Sequence, residues 1–276
     1  MRELPPPNYE YDVAKLSDAY VKALEQIRNE LYRIDLTDFQ RANALATMKS
    51  ITEILRELNG DTADWINEAI PKATEDGIIR AIVALGVADT VEEAANIVKF
   101  NRINKELVKA AVADTQTNLL AVTQNMEKRM IVAIRQATAE VMRANLAKGV
   151  NGTSTLTGEL IRSIRDKLGK AADTGIIDSM GRRWKLKDYV ETVVSTKMME
   201  AHKEATMNEA VQRGAYYGVI SKHGATDDCR KWEGKIVKLV RDAEGSYPYI
   251  GDLPNREIFH PRCAHVVSPV KRPDRV

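Results

Sequence analysis

At 276 residues the chain can bury a substantial core in one or two domains, and its 41 basic and 39 acidic side chains leave a formal net charge of only +2. That balance argues against a dedicated nucleic-acid binder, whose basic residues would dominate one face, while leaving room for a local basic patch. Aromatic residues are scarce at 5%, the most apolar stretch, Ile78 to Ala88, is interrupted by Arg80, and Met1 to Asp12 lack the apolar centre of a secretory signal. A membrane span and an exported disulfide scaffold are therefore not expected, and two cysteines agree with synthesis in a cytoplasm.

Pro5, Pro6 and Pro7 forbid a helix and favour polyproline II, so residues 1–8 are expected as an extended arm, either free or reaching a neighbouring subunit. From about Tyr9 to Lys148 the pattern is helical. Val13, Leu16, Tyr20, Leu24, Ile27 and Leu31 recur every three or four residues and make one apolar stripe. Thr37 is placed to cap a second helix carrying Ala42, Leu45, Met48, Ile51, Leu55 and Leu58, which Asn59-Gly60 is expected to end. Asp61 or Thr62 opens a third segment holding Trp65, Ile66 and Ile70, kinked or split at Pro71. Thr90-Val91-Glu92-Glu93 is a capping box at the head of a short helix.

The longest element runs from about Asn101 to Lys148, with Leu107, Leu119, Val122, Met126, Met130, Ile134, Val141 and Leu146 as its apolar residues. Unbroken, it would span on the order of 70 Å, which predicts an elongated protein or one packed against partners. An unmarked break into two helices is the alternative. Gly149 to Ser154 is rich in turn formers and reads as a hinge between a helical domain, residues 1–150, and a domain of different texture, residues 151–276. In the latter the pattern predicts a helix over about 156–172, a β-hairpin from Gly175 to Trp184 and a helix from Leu186 or Lys187 to Arg213. Strand-like pieces follow at Tyr217–Ser221, Lys235–Leu239 and Ala264–Ser268. The expected fold class is mainly α, with an elongated helical N-terminal half including one long helix and a smaller α+β C-terminal domain.

Every histidine and cysteine outside the helices lies between residues 223 and 265. His223 and Cys229 frame one loop; His260, Cys263 and His265 occupy another. In a strand, Cys263 and His265 would project from the same face. If the two segments meet, His223, Cys229, Cys263 and His265 offer a tetrahedral Cys2His2 metal site. A structural zinc would add folding free energy to a domain thin in apolar residues. Neither segment has the short Cys-x2-Cys spacing that marks zinc sites, so the alternative is hydrogen-bonded histidines, two packed free thiols and no cofactor. A Cys229–Cys263 disulfide is a further arrangement, opposed by a reducing cytosol.

Asp227, Asp228, His223, His260 and His265 would also compose a metal-dependent hydrolase or nuclease site with an open coordination position, and Asn255 before His260 has a faint likeness to histidine–asparagine nucleases. No paired histidines on a helix, phosphate-binding glycine loop or nucleophile elbow accompany them, and the chain is expected not to be an enzyme. Trp184 and Trp232 are expected as core anchors and Arg182-Arg183 as a solvated turn, with a phosphate contact as the other reading. His202 is expected on the surface or half-buried.

Four motifs in order carry a family resemblance. They are Gly175-x2-Asp178-x2-Gly181-Arg182-Arg183-Trp184-x-Leu186-x2-Tyr189-Val190, then Ser221-x-His223-Gly224-Ala225, then Trp232-x-Gly234-Lys235, and finally Pro261-Arg262-Cys263-Ala264-His265. Over about residues 155–268 the chain resembles phage minor capsid proteins of the second type, relatives of the Mu F-like head morphogenesis domain. Thr226, Arg262 and Ala264 depart from the residues usual in that pattern. The resemblance implies a structural head protein of a tailed bacteriophage, present in several copies in the virion and associated with the portal protein, the major capsid protein and the inner capsid. Packaged DNA is a further implied contact, and head assembly, DNA packaging or ejection the implied task. It brings no catalytic residues, and with Val276 soon after the last motif no appended toxin or nuclease domain is expected.

Overall fold

The computed structural model describes residues 4–34, 41–151, 158–173, 176–177 and 181–275. Among them are six α-helices: α1 (Glu10–Tyr32), α2 (Arg41–Ala84), α3 (Val91–Ile97), α4 (Arg102–Asn151), α5 (Gly158–Asp173) and α6 (Leu186–Gln212). The strands β1 (Ile176–Ile177) and β2 (Arg183–Trp184) pair antiparallel, as the hairpin pattern predicts, with Ile176 opposite Trp184. Near the C-terminus, β3 (Tyr217–Ile220) is the central strand of a three-stranded antiparallel sheet, flanked by β4 (Ile236–Lys238) and β5 (Val267–Val270). The protein is mainly α with a small α+β C-terminal part.

The chain forms two compact units, each assembled from separated stretches. One comprises Met1–Val13, Trp65–Thr115 and Thr192–Val276; the other comprises Ala14–Asp64 and Gln116–Glu191. The sequence boundary at residue 150 falls within the second unit.

In that second unit the α1 stripe does what its period dictates: Leu16, Tyr20, Ile27 and Leu31 are all buried. They share a core with Ile51, Leu55 and Leu58 of α2, Leu119, Met130, Ile134 and Val141 of α4, and Ile164 and Leu168 of α5. Hydrogen bonds fix the register: Thr62 Oγ1 lies 3.3 Å from Tyr20 Oη, and Thr123 Oγ1 lies 2.7 Å from Asn59 Oδ1. Leu45 and Leu146, placed on stripes by sequence, are exposed.

Several elements differ from expectation. α2 passes without interruption through Asn59-Gly60 and Pro71, where an end and a kink or split are expected. Asn59 uses its side chain on Thr123 of α4 rather than to terminate its own helix. Buried residues stand on both sides of each breaker, Leu58 and Ile66 around Asn59-Gly60 and Ile70 and Ala73 around Pro71, so packing outweighs the local breakers. α4 is continuous over 50 residues and includes Gly149 to Asn151, the start of the expected hinge. The rest of that hinge, Gly152 to Ser154, lies outside the described residues, as do the Thr37 cap and the tip of the 176–184 hairpin.

The capping box forms: Thr90 Oγ1 accepts the Glu93 N–H at 3.1 Å, and Glu93 Oε2 accepts the Asp89 N–H at 2.9 Å. Trp184 is half-buried rather than a core anchor, edge-on to Tyr189 and 5.3 Å beneath the Arg182 guanidinium.

The first unit gathers the second half of α2, α3, the start of α4, most of α6 and the sheet. Ile78, Ile82, Val83, Ala94 and Ala205 form one of its apolar clusters. His202, expected on the surface or half-buried, is 2% exposed. Its Nε2 faces the Nε–H of Arg80 at 3.4 Å, and Arg80 is itself buried. Arg80 extends the other side of its guanidinium to the proline arm, with Nη1 donating to Leu4 O at 3.0 Å and Nη2 to Pro5 O. Leu4 and Pro5 of the arm are thus tied to their own chain, because a buried cation must be met by acceptors and the extended backbone supplies carbonyls that no helix uses. Replacing Arg80 with leucine is expected to release the arm, so that limited proteolysis before Tyr9 becomes markedly faster than in the parent protein.

Candidate functional site

Two loops of the first unit carry the cysteines and histidines, and the sheet brings them side by side. At the end of β3, Ser221 donates its N–H to Val266 O at 2.9 Å, and its hydroxyl accepts the Val266 N–H at 3.1 Å. This ties the loop after β3 to the segment before β5. Asp227 then caps a single 3-10 turn, Asp228–Lys231, by accepting the Cys229 N–H at 3.1 Å, and the turn buries Cys229 to 1% exposure.

The second loop bends sharply. Phe259 (φ 56°) and Arg262 (φ 64°) both occupy the left-handed region, which side-chain-bearing residues rarely adopt. Cys263 N–H closes the turn on His260 O at 2.9 Å, and Arg262 Nε anchors it to α6 by donating to Thr192 Oγ1 at 2.7 Å. The turn directs His260 inward from an otherwise exposed loop.

The result is a continuous line of soft donors. His260 Nε2 lies 3.1 Å from Cys229 Sγ, Cys229 Sγ lies 3.8 Å from Cys263 Sγ, and Cys263 Sγ lies 3.3 Å from His265 Nδ1. Donor atoms of Cys229, His260 and Cys263 all fall within 4.8 Å of one another. The thiols are not bonded to each other. Burial, the neighbouring Cys263 and the Asp227 carboxylate push the Cys229 thiol up to about 12, so with no cation beside it this cysteine stays protonated. Asp227 Oδ2 stands at the mouth of the cluster, 3.2 Å from His260 Nε2. A small cavity lined by Met199, Glu200, Lys203, Phe259 and His260 opens onto Cys263 and His265.

On the far side lies Glu233, which no sequence signal marked. Backbone N–H groups of Ala225 (3.0 Å) and His223 (2.9 Å) donate to its Oε1 and hold its carboxyl down at about 2. The same oxygen is 3.5 Å from His265 Nε2, a nitrogen that is buried and has no hydrogen-bond partner among the described residues. Burial, and next the adjacent His223, keep His265 below the ordinary histidine range.

Of the four residues that sequence proposes as metal ligands, the structure sets Cys229, Cys263 and His265 in contact. His223 packs against the His265 ring, at 4.0 Å between centroids and tilted by 42°, while His260 stands against the Cys229 thiol. Cys263 and His265 are not in a strand, since β5 begins only at Val267; the 259–263 turn, not strand alternation, brings them together. Asp228 pairs with Lys231 at 2.9 Å on the surface, apart from its sequence neighbour Asp227. Trp232 is half-buried and donates to Glu257 Oε2 at 3.2 Å. Gly234 takes φ 71° and donates its N–H to Ile220 O at 2.9 Å. The Ser221 to Ala225 and Trp232 to Lys235 motifs are thus the means by which this loop folds over the sheet.

No curated protein and no solved structure matches the chain. A model of the family described as phage minor capsid protein 2 matches residues 17–270, taking in the helices of both units together with the cysteine and histidine loops. The match covers most of the chain, and the protein belongs to the phage minor capsid protein 2 family, the structural proteins of phage particles.

Proposed function

We propose that this structural phage protein works at the portal vertex and inner capsid, where it assists head assembly, genome packaging or ejection. The portal protein and major capsid protein would be its neighbours, with packaged DNA a further contact, and it would be made in the host cytoplasm before entering the head. The observation that supports this reading is the extent of the family match, residues 17–270, which takes in most of both units rather than a single motif. Among the described residues no helix is long and apolar enough to cross a membrane. The sulfur-rich character of the cysteine and histidine cluster also resembles closed structural metal sites more than catalytic ones, which keep a position open for water.

Locating the chain in intact particles by cryo-electron microscopy tests the proposal. Density for the helices beside the portal is the expected result. Particles assembled without the protein are expected to be defective in packaging or ejection, and fully infectious ones would overturn the reading. Cleavage of DNA by the purified protein, lost in His223→Ala and His265→Ala, would favour a metal-dependent hydrolase instead.

A further inference from the structure

We propose that Cys229, His260, Cys263 and His265 bind one zinc ion that pins the loop after β3 to the loop before β5. This goes beyond the head-protein role and does not depend on it.

The first support is spacing. Zinc bonds of about 2.3 Å to sulfur and 2.0–2.1 Å to nitrogen, at tetrahedral angles, put two thiolates about 3.8 Å apart and a thiolate and an imidazole nitrogen about 3.5 Å apart. The observed line runs 3.1, 3.8 and 3.3 Å from His260 Nε2 through Cys229 and Cys263 to His265 Nδ1. The sulfur pair already has the metal-site separation, and donor atoms of Cys229, His260 and Cys263 lie within 4.8 Å of one another, while His265, placed against Cys263, moves in as the fourth ligand when the ion binds.

The second support lies on the opposite edges of the two rings. A ligating histidine normally gives its other N–H to a carbonyl or carboxylate, which fixes the tautomer and leaves the metal-facing nitrogen with its lone pair. His260 Nδ1 lies 3.0 Å from Pro261 O, leaving Nε2 for the metal. His265 Nε2 is buried, lacks a hydrogen bond among the described residues and faces Glu233 Oε1 at 3.5 Å, leaving Nδ1 for the metal. A slight turn of the ring toward Glu233 completes that bond, and Glu233 is itself clamped by the backbone of the 223–225 loop. Two histidines with opposite ring nitrogens turned to the same pair of thiols, each backed by an acceptor, is the arrangement a metal site needs and a plain packing cluster does not.

The third support is the backbone. Left-handed conformations at Phe259 and Arg262 are costly, and they flank His260, the residue they aim at Cys229. Zinc bonds repay such a cost in a loop-rich sheet domain. His223 and Asp227 lie outside this ligand set. His223 packs tilted against the His265 ring, and Asp227 caps the Cys229 turn through Oδ1 while its Oδ2, 3.2 Å from His260 Nε2, gives way as that nitrogen turns to the metal.

The test uses the full-length protein purified without added metal or tag-derived histidines. Elemental analysis is expected to find one zinc per chain, retained in His223→Ala and Asp227→Asn and lost in Cys229→Ser, Cys263→Ser and His265→Gln. Cobalt substitution should give the intense visible bands of a tetrahedral thiolate site. In the zinc-loaded parent both thiols should resist alkylation until a chelator is added, and chelation should lower the unfolding midpoint by on the order of 10 °C. The chelator measurement uses the parent protein, so it stands even if the cysteine variants fail to fold. Parent protein that binds no stoichiometric zinc, with freely alkylated thiols or a Cys229–Cys263 disulfide, would overturn the proposal. So would zinc that depends on His223 rather than on the cysteines.

Discussion

Gly77→Ala is expected to destabilise the protein by about 2 kcal/mol, although alanine is ordinarily the better helix former by up to about 1 kcal/mol. Within the first unit α2 and α6 approach so closely at this residue that an added Cβ would sit 2.2 Å from His202 O and 3.1 Å from Ala205 Cβ. The nearest obstacle is a backbone carbonyl, which cannot swing aside as a side chain would. The crossing is further set by Thr206, whose hydroxyl lies 3.0 Å from Gly77 O and 2.8 Å from His202 O. Gly60, in the same helix, has nothing within 4 Å of its hypothetical Cβ and supplies the control. Gly60→Ala is expected to be neutral or mildly stabilising. Urea unfolding of the two variants measures the difference directly, and equal midpoints would show that the close approach at Gly77 is not a constraint.

The second large effect is on acid stability. Burial, and after it the charge of Arg80, drive His202 down to about 3 from an ordinary value of 6.5. Folded protein therefore keeps the ring neutral under conditions where the unfolded chain takes up a proton. The stabilisation from this neutral site is complete above pH 6.5 and is lost as the pH falls from there toward 3. The loss is about 1.4 kcal/mol at one pH unit below the unfolded value and about twice that at two units. His265, shifted downward as well, adds to the loss in the parent protein. The contribution of His202 is isolated by His202→Gln, which keeps an acceptor for the Arg80 Nε–H but cannot titrate. Its stability should fall less steeply between pH 6.5 and 4.5 than that of the parent. Parallel curves for the two proteins would remove His202 as the acid-sensitive group.

Much of the fold is legible in the sequence because periodicity answers to burial. Leu16, Tyr20, Ile27 and Leu31 recur at helical spacing and are buried for that reason, and the Thr90 capping box does locally what its residue types dictate. Local rules fail where distant packing outweighs them. Asn59-Gly60 and Pro71 look like breaks, yet α2 runs through them because residues on both sides are held in a core and Asn59 finds a partner on α4. Arg80 looks like an interruption of an apolar run; only the folded chain reveals that Leu4, Pro5 and His202 surround it.

The same division applies to the site. Residue types alone leave the meeting of the two loops a condition, and the cysteines do meet. Which histidine faces which thiol depends on two left-handed residues, Phe259 and Arg262, that carry no glycine to announce them. Glu233 is illegible for a different reason: its partners are backbone N–H groups, which every residue type presents alike.

Each passage between the two compact units occurs inside a helix: α1 at residues 13–14, α2 at 64–65, α4 at 115–116 and α6 at 191–192. On the ribosome, the first unit begins with the arm yet cannot close until Thr192–Val276 has emerged, so its N-terminal stretch waits through most of synthesis for its partners. Gene fragments cut at any single point leave at least one unit incomplete, and a truncation that removes Thr192–Val276 keeps all residues of the second unit but deprives the first of its largest stretch. Function is better dissected with point substitutions than with fragments.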